Sequence, residues 1–319
     1  MKIGFIGLGN VGGKLAGSIL RNGFDLTVRD LNDALVADFV SRGAGRADSA
    51  KELAETCDVV ITCLPSPEAC SQVMEAEDGV IAGLGAGKIW AEMSTTDEGE
   101  IKRIAARVQA KGAFAIECPV SGGCHRAATG NISIFAGCDR ATFDRMLPLL
   151  TTLGRRVLHT GEIGTASVLK VMTNYLATAN LLTLSEAMVT MKAAGIDLAT
   201  TYEAITISSG TSFVAETEGQ VILNGGRDIS FTMDLVKKDI GLFQKIAEQH
   251  QVPLEISPLM VDIFDDGIAR YGPRELSPNI IRRLEDATNL SIVAQGFPDE
   301  LTDDEPEEPG YEVVPKARS

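Results

Sequence analysis

The tightest constraint on this chain lies in its first dozen residues. A short β-rich run, Lys2 to Ile6, stops at Gly7-Leu8-Gly9-Asn10-Val11-Gly12, and a helical pattern follows from Lys14. Glycines at that spacing, between a strand and a helix, each have a purpose. The first allows the tight turn, the second lets backbone approach a pyrophosphate, and the third permits close helix-strand packing. The diphosphate would rest on amide N–H groups at the helix start, where donors and dipole both favour an anion. The rest of the first half fits that beginning. Apolar runs at Asp25 to Arg29, Asp58 to Leu64, Lys88 to Met93 and Ala113 to Glu117 alternate with amphipathic stretches, which predicts a parallel sheet with helices on both faces. Runs at Ile132 to Ala136 and Arg156 to His159 extend the sheet.

After Gly161 the texture changes. From Thr165 to Ala194 there is neither Pro nor Gly, and apolar residues occupy nearly every face. A helix of that kind is expected to be buried all round, and at 1.5 Å per residue it would run roughly 45 Å, connecting two domains. Helical patterns then dominate from Leu198 to Val293, notably Met233 to Gln249, Leu254 to Ala269 and Ile280 to Val293. From Asp299 the chain carries eight acidic and two basic residues, with Pro306 and Pro309 among them, a composition expected to stay flexible. At 319 residues the chain exceeds what one core usually serves. The expected organisation is α/β: a Rossmann-type dinucleotide-binding domain over 1–162, an all-helical substrate and oligomerisation domain over 163–297, and an acidic flexible tail over 298–319.

Charge narrows the partners. With 44 Asp and Glu against 29 Lys and Arg, the net charge is −15, so no general basic surface exists to neutralise nucleic-acid phosphates or an anionic membrane. No apolar run approaches the ~20 residues of a membrane span, and the first strand leaves no room for a leader, so a cytoplasmic location is expected. Six cysteines without a C-x-x-C pair and three histidines offer no pattern for a structural metal, and none is expected.

Three further places carry chemistry. Asp30 ends the second strand, where a carboxylate can accept from both ribose hydroxyls and would repel a 2′-phosphate, which favours NAD. Arg29 beside it keeps NADP open, because a guanidinium could pair with that phosphate. At Glu117-Cys118-Pro119-Val120-Ser121-Gly122-Gly123 a strand runs into a turn that offers a hydroxyl and unobstructed N–H groups to a carboxylate, or is simply a turn. Lys170, Thr173 and Asn174 share one face of the long helix. A lysine in so apolar a segment requires an ion pair, a snorkelled stem or a chemical role.

Together these residues resemble the β-hydroxyacid dehydrogenase family, over roughly Lys2 to Val293. The resemblance rests on the glycine turn, Leu64-Pro65 and Ser94-Thr95 after successive strands, Pro119-Val120-Ser121-Gly122-Gly123, Gly161 through Gly164 to Lys170 and Asn174, and Lys238-Asp239. It implies that Lys170 is the catalytic acid/base and that Asn174 and Ser121, Gly122 and Gly123 hold the substrate. It further implies that Leu64, Pro65 and Thr95 touch the cofactor and that Lys238 lies near the nicotinamide. Physically, a desolvated amine beside a cationic nicotinamide is more easily kept neutral, so Lys170 could take a hydroxyl proton as hydride leaves. The implied reaction interconverts a small 3-hydroxy acid and its semialdehyde or ketone with NAD, the substrate lying between the two domains. The implied assembly is a homodimer or homotetramer.

Two departures matter. Thr173-Asn174 stands where members commonly have Asn-Asn, and His125-Arg126 stands where a glycine usually follows the turn. Arg126 or His125 could therefore supply a cation for a second acidic group on the substrate, or be a solvated surface pair. The other functions considered are reduction of 2-hydroxy-3-oxo acids and a non-catalytic NAD-binding module using its acidic tail. Imine reduction is disfavoured, because such relatives replace the lysine.

Overall fold

The structure is a computed structural model and describes residues 1–316. It divides into two compact units, one of Met1–Lys170 with the segment from Asp303 onward, the other Val171–Thr302. In the first unit the chain order is β1 (Lys2–Ile6), α1 (Asn10–Arg21), β2 (Asp25–Arg29), α2 (Asp33–Ser41), β3 (Gly45–Arg46), α3 (Ala50–Thr56), β4 (Val59–Thr62), α4 (Pro67–Glu75) and α5 (Val80–Gly83). There follow β5 (Ile89–Glu92), α6 (Glu98–Gln109), β6 (Phe114–Glu117), β7 (Val120–Ser121), α7 (Gly123–Thr129), β8 (Ser133–Gly137), α8 (Arg140–Leu153) and β9 (Arg156–Gly161). The sheet order is β10-β9-β8-β6-β5-β4-β1-β2-β3, with β10 formed by Tyr311–Glu312 and β7 paired to β8. Pairing is parallel except where β8 meets β6 and β7.

Every residue of β4 and β5 is buried, because both faces are covered. Leu15, Ile19, Phe143 and Leu149 pack on one face; Leu53, Met74, Trp90 and Ile104 pack on the other. Helix starts are set locally. Ser66, Asp97 and Asp139 each accept a first-turn N–H through the side chain, opening α4, α6 and α8.

The helix α9 (Thr165–Ala193) is 29 residues long. The second unit continues with α10 (Leu198–Thr206), α11 (Phe213–Glu216), α12 (Glu218–Asn224), α13 (Met233–Gln249), α14 (Ile256–Tyr271), a 3-10 turn over Ser277–Ile281 and α15 (Arg282–Thr288). Its core gathers Leu181, Met188, Ile222, Val236, Phe264 and Ile281. Among the described residues no helix is long and apolar enough to cross a membrane.

The observed organisation differs from the expected one in four places. The division falls inside α9, after Lys170, because the first turn of that helix is bonded to the sheet unit as described below. Burial of α9 is not complete: Leu176 and Met191 face outward. The helix expected over Ile280 to Val293 is shorter, ended by Asn289 in the left-handed region at φ 52°. The tail expected to be flexible over 298–319 adds β10 to the sheet through its residues 311 and 312, while its last three residues lie outside those described. Charge repulsion within the tail is outweighed by arginines that meet it on the first unit.

Candidate active site

The glycine turn is built as its spacing demands. Gly7 has φ +98°, and a Cβ there would sit 2.2 Å from the Cys63 carbonyl oxygen. Gly12 packs so closely that a Cβ would meet the Gly7 carbonyl oxygen at 2.0 Å. Gly9 is different: its backbone is open to any residue and nothing lies within 4 Å of a Cβ built there. Packing among the described residues does not need glycine at 9. Gly9 caps α1 without a side-chain bond, and the first turn holds no acidic residue, leaving Asn10 and Val11 at an end suited to a diphosphate.

Asp30 ties the neighbouring loops together. One carboxylate oxygen accepts the Leu8 N–H at 2.6 Å and the other accepts the Asn32 N–H at 2.8 Å, which leaves further lone pairs for ribose hydroxyls. Arg29 donates to the Asp48 carbonyl. The next wall is set from inside the sheet. Ser94 Oγ accepts the Leu64 N–H at 2.7 Å, and the Ser94 N–H is held by buried Glu92 at 2.7 Å. Thr62 and Cys70 also donate to Glu92, and the Trp90 indole N–H donates to Thr62 Oγ1 at 2.8 Å. Burial pushes the Glu92 carboxyl up, partly offset by these donors. Leu64, exposed Pro65 and Thr95 thus stand at the ends of β4 and β5, beside the glycine turn at the end of β1.

The Ser121-Gly122-Gly123 turn follows β6. Gly122 and Gly123 have φ +132° and +87°, and a Cβ on Gly123 would strike the His125 ring at 2.8 Å. Both positions therefore favour glycine, next in the chain to the Ser121 hydroxyl. Glu117, the last residue of β6, was not singled out from the sequence. Its carboxylate accepts N–H bonds from Gly164 at 2.6 Å, Ala166 at 2.9 Å and Ser167 at 3.1 Å, plus the Ser167 hydroxyl at 2.5 Å. It caps the start of α9, and Lys170, only 7% exposed, lies one turn further along. Gly137 makes room, since a Cβ there would meet Glu117 at 2.3 Å. Burial raises the Glu117 carboxyl, and the Ser167, Ala166 and Gly164 bonds pull the other way. One signal was present: an acid closing an otherwise apolar strand, in register with Glu92 on β5.

Within the second unit, Asn174 on α9 donates its amide to Asp239 at 2.5 Å. The carboxylate can only accept, so it fixes which way the amide faces. Lys238 pairs with Asp239 at 3.1 Å. Stacking of Tyr175 on Phe243, with ring centroids 4.2 Å apart, locks α9 against α13 beside this cluster. Asp239 lies in the apolar stripe of Met233, Val236 and Ile240, which is the pattern that could have flagged it. His125 and Arg126 lie within α7, the third and fourth residues of that helix. Burial and the Arg126 charge depress the His125 pKa. Arg126 meets the chain's own acids, Glu305 at 3.2 Å and Asp303 at 4.0 Å, which favours a structural role over a cation reserved for substrate.

A parallel sheet carrying this glycine turn, with an acid at the end of β2, defines a dinucleotide-dependent oxidoreductase. Known proteins agree. Residues 2–161 match the family described as the NAD-binding domain of 6-phosphogluconate dehydrogenase. Residues 164–284 match the family described as NAD-binding of NADP-dependent 3-hydroxyisobutyrate dehydrogenase. The chain is 32% identical over 293 residues to 2-(hydroxymethyl)glutarate dehydrogenase of Eubacterium barkeri, covering 92% of this chain and 97% of that one. It is 30% identical to NAD-dependent L-serine dehydrogenase of Pseudomonas aeruginosa, covering 90% and 98%. A crystal structure of 3-hydroxyisobutyrate dehydrogenase from Salmonella typhimurium superposes with a TM-score of 0.81 at 28% identity, covering 89% of this chain and 99% of that one. The chain belongs to the β-hydroxyacid dehydrogenase family of NAD(P)-dependent oxidoreductases.

Proposed function

We propose that this enzyme oxidises the hydroxyl of a small 3-hydroxy acid to a semialdehyde or ketone with NAD, or runs the reverse, and that Lys170 is its acid/base. The observation that carries this reading is the placing of Lys170. It is buried, and it sits one turn after a helix start that Glu117 bonds to the strand leading into Ser121. A dinucleotide held there would supply the two-electron acceptor for the carbinol hydride. As the C–H bond breaks, Lys170 Nζ accepts the hydroxyl proton and the C=O bond forms; in reduction Lys170 returns that proton. Asn174, oriented by Asp239, bonds the same oxygen or its neighbour. Ser121 with the N–H groups of Gly122 and Gly123 binds the carboxylate. Gly7 to Gly12 take the diphosphate, Leu64, Pro65 and Thr95 flank the nicotinamide side, and Lys238 is assigned to the nicotinamide by the family resemblance alone.

NAD is preferred over NADP in this reading, because Asp30 would repel a 2′-phosphate and Arg29 is committed to the Asp48 carbonyl. The named substrates of the relatives share a primary alcohol one carbon removed from the carbon that bears a carboxylate. The substrate class proposed is therefore a 2-substituted 3-hydroxypropanoate. Outward-facing Leu176 and Met191 on α9 support a homodimer or homotetramer. Six free thiols suit a reducing cytoplasm.

The test is a Lys170→Ala variant assayed in both directions on a panel of such acids. A fall in kcat of about a thousandfold with NADH binding intact supports the assignment. Undiminished turnover would remove it.

A further inference from the structure

The acidic segment after Thr302 is unusual in where it goes. It lies beyond the matched family residues, yet it returns to the first unit and packs there. Its contacts centre on α7, the helix that begins at Gly123. Asp303, with a side chain 3% exposed, accepts from Asn131 Nδ2 at 2.7 Å and from the Thr129 hydroxyl through the same oxygen, and faces Arg126. Asn131 also donates to the Glu305 carbonyl at 2.9 Å. Beyond that point the segment is anchored step by step: Glu307 pairs with Arg21 at 2.8 Å, Glu308 with Arg155, and Glu312 with Arg140 at 2.6 Å. Gly310 donates to Thr151, packing where a Cβ would stand 2.0 Å from the Gly154 carbonyl oxygen. Tyr311 and Glu312 then pair with β9.

The exposed ion pairs contribute little individually. Asp303 is different, because it is buried and fully engaged. Burial opposes its charge, yet the Thr129 and Asn131 bonds and the Arg126 guanidinium hold its carboxyl below the usual range. Its partners lie at the far end of α7, a helix of only two turns, Gly123–Thr129, closed by left-handed Gly130. At the near end stand Gly122 and Gly123 in conformations no other residue holds comfortably.

We propose that the C-terminal segment clamps the substrate-binding turn, with Asp303 a positioning residue that holds Ser121-Gly122-Gly123 in place through α7. The inference rests on the reading of that turn as the carboxylate site. Its effect falls on hydroxy-acid affinity more than on the dinucleotide, because the segment's bond to α1, Glu307 to Arg21, is at the end of that helix remote from the glycine turn.

The experiment uses full-length enzyme carrying Asp303→Ala, Asp303→Asn or, as a control, Ser121→Ala, and a chain ending at Thr302. Asp303→Ala is expected to raise KM for the hydroxy acid about tenfold while KM for NAD stays within about twofold. Asp303→Asn, which can still accept from Thr129 and Asn131 through one oxygen, is expected to recover most of the loss. A synthetic peptide of residues 303–316 is expected to restore KM in the shortened chain. If that chain does not fold, Asp303→Ala decides alone. An unchanged hydroxy-acid KM in Asp303→Ala, with a raised one in Ser121→Ala, overturns the clamp and leaves the substrate reading standing. Unchanged KM in Ser121→Ala overturns both. A parallel rise in both KM values also overturns it, since that marks general loosening.

Discussion

Three glycines stand in the first turn for three physical reasons, and substitution separates them. Gly12→Ala pushes a methyl into the Gly7 carbonyl at 2.0 Å, so it should cost roughly 1–3 kcal/mol in thermal unfolding with no ligand present. Gly9→Ala meets nothing within 4 Å and should leave that unfolding unchanged while weakening NADH binding, measured by titration, about tenfold or more. Equal NADH affinity in Gly9→Ala and the parent would show that the open space is not the diphosphate site. Gly7 and Gly12 were legible because each must be glycine for a local reason. Glu92 and Glu117 were not, because an acid at a strand end also suits a solvent-facing loop. Their partners are distant in the chain: Glu117 bonds residues 47 to 50 positions away.

At the scale of elements, the start of α9 decides where Lys170 stands. Glu117→Gln keeps the volume but replaces an acceptor with an NH2 group facing backbone donors. It should lower kcat by about ten- to a hundredfold with KM for NAD unchanged, read in steady-state kinetics. An unaltered kcat would mean the helix holds its start without the carboxylate. A second helix start gives a pH prediction. Glu218 opens α12 with Oε2 enclosed and bonded to nothing, and burial pushes its carboxyl up to about 8. The folded chain therefore keeps a proton that the unfolded chain releases above the usual carboxylate range. That contribution to stability is full in acid and is lost as pH rises through about 8. Glu218→Gln stays neutral, so its advantage in unfolding free energy over the parent should grow from about pH 5 to about pH 8 and level off above, reaching the order of a few kcal/mol. A gap that stays constant across that range would remove the buried-proton account. Periodicity read α13 at its observed bounds because its apolar stripe is regular. It could not find β7 or β10, each only two residues long, because so short a strand has no period and exists by pairing alone.

On the scale of the whole molecule, the chain passes from the first unit to the second along α9 and returns after Thr302. The change of texture at Gly161 lies close to the division after Lys170. The return was not legible, since composition reports the tail's charge and says nothing of the arginines waiting on the first unit. Assembly is the testable property here. The outward apolar side chains Leu176, Met191, Ile196 and Ile207 all belong to the second unit. A Leu176→Asp, Met191→Asp double variant should elute as a monomer in light-scattering chromatography while keeping its helical circular dichroism. An unchanged mass would place the interface elsewhere. Finally, the single tryptophan of the chain is Trp90, fully buried with its indole N–H on Thr62. Intrinsic fluorescence excited at the indole is therefore a reporter of the sheet unit alone. Energy transfer from Trp90 to a reduced nicotinamide would register occupancy of that unit without any label, whatever the helical unit is doing.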